Sequence, residues 1–68
     1  MNEEILNMSL RKFLKKVGIT AQRAIEEAVR GALATGSLKG SEKLAAEARL
    51  TLGGTSLDLV IDGEIELE

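Results

Sequence analysis

Cysteine and histidine are both absent from this chain of 68 residues. Together these absences remove disulfides, the common zinc and iron ligand sets, the commonest general base and the thiol nucleophile. Tryptophan and tyrosine are missing as well, and phenylalanine occurs once, as Phe13, so the roughly 150–250 Å² that each buried aromatic ring contributes to a core is nearly unavailable. No apolar run approaches the roughly 18 residues of a membrane span. The opening Met1-Asn2-Glu3-Glu4 carries acids where a signal peptide carries basic residues before an apolar stretch. These lacks lead to the expectation of a cytoplasmic protein that is not an enzyme, holds no cofactor or metal and makes no membrane contact.

The length compounds the shortage of aromatics. A chain this short buries only about 60% of the surface that its unfolded form exposes, and small domains lean on disulfides, a metal or a partner. The first two lack their residues here, so self-association as a homodimer is the expected reinforcement. The net charge of −2 is unevenly distributed, with six Lys/Arg against four Asp/Glu in residues 1–34 and three against seven in residues 35–68. On a domain of this size such asymmetry is first of all a solubility pattern.

Apolar residues in the first half recur at helical spacing. Asn2 is the expected N-cap, with Glu3 and Glu4 in the first turn, where the positive end of the helix dipole favours carboxylates. Leu6, Leu10, Phe13, Leu14 and Val17 fall in one stripe about 100° wide, and Arg11, Lys12, Lys15 and Lys16 fall outside it. Gly18 reads as a left-handed helix terminus, Ile19 as the residue that packs back, and Thr20 as the cap of a second helix over about 21–35. That second helix places Ala21, Ala24, Ile25, Ala28, Val29, Ala32 and Leu33 on one face, and Arg23, Glu26, Glu27 and Arg30 on the other. The pairs Arg23–Glu27 and Glu26–Arg30 stand four residues apart, at a spacing worth about 0.2–0.5 kcal/mol each. Gly36 closes the helix.

After the loop at 37–43 the period changes from 3.6 to 2. Leu44, Ala46, Ala48, Leu50 and Leu52 alternate with Ala45, Glu47, Arg49 and Thr51, the pattern of a strand with one apolar face. Gly53, Gly54, Thr55 and Ser56 read as a hairpin loop rather than a phosphate cradle, since no lysine follows and no helix starts there. Leu57, Leu59 and Ile61 continue the alternation. Asp62-Gly63 is a turn signal, but a two-residue hairpin there would put Glu64, Glu66 and Glu68 on the apolar face, so a bend, a bulge or a longer loop is expected instead. Asp58, Asp62, Glu64, Glu66 and Glu68 then form an acidic outer face that discourages edge-to-edge aggregation. A hard-cation site at Asp62 and Glu64 is a weak reading, because the spacing lacks the regular oxygen ligands of a calcium loop.

The resulting architecture is α+β, a single small domain over residues 1–68. It consists of a two-helix hairpin (2–36) packed on a small antiparallel sheet of two or three strands (44–68), in the order ααββ or ααβββ. Two functions fit that order of elements. The leading one is a non-catalytic interaction or structural protein that self-associates. The alternative is a nucleic-acid-binding accessory protein resembling a winged helix-turn-helix, with Arg11, Lys12, Lys15 and Lys16 gripping phosphates and Arg23 and Arg30 on the reading helix. Glu26 and Glu27 on the same face, the acidic sheet and the sequence pI near 5.1 count against nucleic acid. Those six cations remain the candidate contacts for nucleic acid or a protein partner.

The segments NEEILNMSLRKFLKKVGITAQRAIEEAVRGAL, LKG and DGEIELE resemble a family of short bacterial proteins classed as a domain of unknown function. The resemblance covers most of the chain and is weakest over residues 42–57. It implies a compact domain of helix, helix and strand, and carries over no activity, cofactor or catalytic residue.

Overall fold

Asn2 starts the first element as its sequence position predicts. In the computed structural model, which describes residues 1–68, its side-chain oxygen accepts the backbone N–H groups of Glu4 at 3.0 Å and Ile5 at 3.2 Å. Two of the four donors that a helix start leaves open are thereby satisfied. The helix α1 then runs from Glu3 to Ala34 without a break, 32 residues or about 48 Å at 1.5 Å per residue. It ends at Thr35, whose hydroxyl donates to the Ala32 carbonyl at 3.3 Å. Gly36 follows at φ 81, and its N–H bonds the Leu33 carbonyl at 3.2 Å. Gly36 thus closes the helix as expected, in the left-handed conformation that the sequence predicts for Gly18.

The expected two-helix hairpin is therefore wrong: Gly18, Ile19 and Thr20 are three more residues of one helix. Gly18 is not among the residues with positive φ. The reason lies in the phase of the pattern. Leu6, Leu10, Phe13, Leu14 and Val17 continue into Ala21, Ala24 and Ala28 within the same stripe about 100° wide, so the apolar face passes through Gly18 without rotating. A turn would open four carbonyls at one new end and four N–H groups at the other, whereas one helical glycine costs only about 1 kcal/mol. With a single helix, the likeness to a winged helix-turn-helix falls too.

The remainder is one hairpin, so the fold is α+β with two strands rather than three. Strand β1, Lys43–Thr51, pairs antiparallel with β2, Asp58–Glu66, in an unbroken register from Lys43 opposite Glu66 to Thr51 opposite Asp58. No bend, bulge or turn occurs at Asp62-Gly63; Gly63 sits within β2, opposite Ala46. Leu59, Ile61, Gly63 and Ile65 already alternate with Asp58, Val60, Asp62 and Glu64, so a straight strand keeps its apolar side through the glycine. The connection is as expected. Gly54 has φ 79, Thr55 N–H bonds the Leu52 carbonyl at 3.3 Å, and the Thr55 hydroxyl donates to that same oxygen at 2.7 Å.

The chain divides into two compact units, Met1–Ser37 and Leu38–Glu68. No residue of either is fully buried. In the second unit Leu38, Leu44, Ala46, Leu50, Ile65 and Leu67 are half-buried, and four of them lie on the apolar side of the hairpin.

Candidate interaction surface

Each unit presents one apolar and one charged side, and both sides follow from local periodicity. On α1 the apolar stripe is open: Leu10, Phe13, Leu14 and Val17 are 44, 50, 54 and 39% exposed. Where these bulky residues give way to alanine, Phe13, Lys16, Val17, Thr20, Ala21 and Ala24 line a shallow groove with apolar walls. No residue of α1 is buried, which is unusual for a helix of this length, because most helical stability in proteins comes from packing an amphipathic face.

The six cations named from the sequence all stand on this one helix. Lys12, Lys16, Arg23 and Arg30 fall in a line about 40° wide, and Arg11 and Lys15 lie to one side of it. They are not divided between a gripping and a reading helix, and the band also carries Ile19, 53% exposed, and Glu26. Glu26 is the acidic residue engaged there: its carboxylate accepts from Gln22 at 2.9 Å and pairs with Arg30 at 3.4 Å. The expected Arg23–Glu27 pair does not form, since the chain's two ion pairs are Glu26–Arg30 and Arg49–Asp58.

On the hairpin the charged side carries Lys43, Glu47 and Arg49 from β1 and Asp58, Asp62, Glu64 and Glu66 from β2. Glu47 faces Asp62 directly, and Lys43 faces Glu66. Arg49 reaches diagonally to Asp58 with two parallel bonds, Nε to Oδ1 at 2.8 Å and Nη2 to Oδ2 at 2.6 Å. This fork holds the Asp58 carboxyl below its ordinary range and the Arg49 guanidinium above its own. Asp62 and Glu64 lie in mid-strand rather than in a turn, and no three acidic side chains gather in a way that could hold a metal ion.

Sequence reasoning missed two polar features. One is the Arg49–Asp58 fork, which only the strand register reveals. The other is Glu42, whose carboxylate accepts the N–H groups of Lys39 at 2.9 and 3.1 Å, Gly40 at 2.9 Å and Ser41 at 3.2 Å. These bonds, Lys39's first, lower the Glu42 pKa. The glycine at position 40, with φ 104, is the signal that could have found it, because successive amides around a left-handed residue form an anion-binding concavity. Here that concavity is filled by the chain's own carboxylate.

A capped amphipathic helix followed by an acid-faced hairpin defines a small α+β protein. The model of a family described as a family of unknown function (DUF6494) matches residues 1–68, the whole chain, and the protein belongs to that family. No curated protein and no solved structure matches it. No helix is long and apolar enough to cross a membrane.

Proposed function

We propose that this protein is a non-catalytic interaction or structural protein that associates with itself. The observation that carries the proposal is the open stripe on α1: a helix of 32 residues with no buried residue exposes Leu6, Leu10, Phe13, Leu14 and Val17 side by side. Apolar area contributes about 25 cal/mol per Å² when removed from water, and a second copy is the partner always present at matching concentration. The composition supports the same reading, since neither histidine nor cysteine is available for catalysis. The six cations are read as the solvated flank of this helix.

Sedimentation equilibrium at micromolar concentration tests the proposal. The expected mass is twice the 7.3 kDa of the chain, and a monomer that melts cooperatively would overturn it. The compartment proposed is the cytoplasm, a reading that stands on the sequence alone. Fractionation of expressing cells checks it, and recovery with membranes would refute it.

A further inference from the structure

We propose that two copies pair along α1 in antiparallel order, so that the leucine-rich first half of each helix seats on the alanine-rich second half of the other. The inference rests on the self-association proposed above and adds its interface, direction and register. Leu10, Leu14, Val17, Ala21, Ala24, Ala28 and Gly31 recur at alternating intervals of four and three residues, the seam of a two-stranded coiled coil. Side-chain size falls steadily along that seam, from leucine through valine and alanine to glycine.

Direction follows from size. A parallel pair would set leucine on leucine at one end and alanine on alanine at the other, so the axes would splay or leave a void beside the alanines, and neither is compatible with close packing. An antiparallel pair aligned end to end places Leu10 with Ala28, Leu14 with Ala24 and Val17 with Ala21, each layer occurring twice. Every layer then holds one large and one small residue, and the helices keep a constant separation. The groove beside Ala21 and Ala24 becomes the seat for the other copy's Val17 and Leu14.

Charge selects the same direction. Arg11, Lys12, Lys15 and Lys16 crowd the first half of the helix, and a parallel pair would bring four cations level with four more, an arrangement in which like charges repel. The antiparallel pair instead sets the two groups of cations about 16 Å apart along the axis. The two helix dipoles also run oppositely in this arrangement.

Because the chain has no cysteine, disulfide mapping has no background. Leu10→Cys and Ala28→Cys chains, one of them lengthened by a tag, are mixed and oxidised at a concentration where sedimentation shows dimer. The expected product is the mixed disulfide, with little of either self-linked species, because in the antiparallel pair like positions stand about 27 Å apart along the axis. Self-linked Leu10→Cys would mean parallel helices, and a dimer with no crosslink along α1 would mean an interface elsewhere. Either result overturns the inference while leaving self-association intact. A monomer throughout would remove the self-association reading itself. Ala24→Leu supplies an independent readout, since leucine is nearly as good a helix former as alanine. It is expected to weaken the dimer about tenfold by overfilling the layer with Leu14, whereas a parallel pair would be tightened.

Discussion

Glu42 accepts the backbone N–H groups of the three residues before it, Lys39, Gly40 and Ser41, just ahead of β1. Replacement by glutamine keeps the size but loses the charge-assisted bonds, so Glu42→Gln should lower the melting temperature of the hairpin and speed amide exchange at Lys39, Gly40 and Ser41, which hydrogen exchange followed by NMR would read. The pH dependence has a definite sign. Because the folded-state pKa of Glu42 lies below its ordinary value of 4.5, its contribution is complete above that value and is lost as pH falls through the lowered one. Asp58, depressed by Arg49 from 3.8, behaves in the same way, its contribution complete above that value and lost as pH falls through the lowered one. The stability of the hairpin should therefore be flat from neutral pH down to about 5 and decline in acid, with Glu42→Gln removing the share of the decline that belongs to Glu42. A hairpin whose acid titration is unchanged by that substitution would show that the loop carboxylate contributes nothing.

At the scale of elements, the most decisive position is Gly18. If it ended a helix in the left-handed region, alanine there would be strained; within a helix, with open space around an added Cβ, Gly18→Ala should stabilise α1 by about 0.5–1 kcal/mol. The helical signal at 222 nm during thermal unfolding checks this, and a lower midpoint would restore the turn. Gly54 gives the opposite result. Its φ of 79 means that Gly54→Ala should destabilise the hairpin by about 1–2 kcal/mol, read from amide hydrogen exchange in β1 and β2. Much of both elements was legible from the sequence. Asn2 and Gly36 mark the ends of the helical segment, the change of period after Leu44 marks β1, and Gly53 to Ser56 mark the loop. Two breaks read into it do not exist, at Gly18 and at Gly63. In each case a glycine reads locally as punctuation while the apolar periodicity runs through it in phase, and periodicity gathered over many residues outweighs one residue's local preference.

For the whole molecule, the absence of any fully buried residue means that stability must be tied to concentration if the chain associates. The midpoint of thermal unfolding should rise as the protein is raised from one to a hundred micromolar, because binding restricted to the folded state adds stability by mass action; a midpoint independent of concentration would speak for a self-sufficient monomer. The candidate surface was only partly legible. The six cations all stand on the helical segment, but their common line is hidden as long as that segment is read as two helices. The Arg49–Asp58 fork was invisible because it joins residues that only a specific strand register brings together. By itself the sequence determined the caps, the loop, the apolar side of each strand and the α+β class, since these follow from the chemistry of near neighbours. Only the tertiary structure decided that α1 continues through Gly18, that β2 runs straight through Gly63, and which charges meet across the hairpin. Those outcomes depend on whether a whole hydrogen-bonded ladder is kept or interrupted, a comparison that no single residue's preference contains.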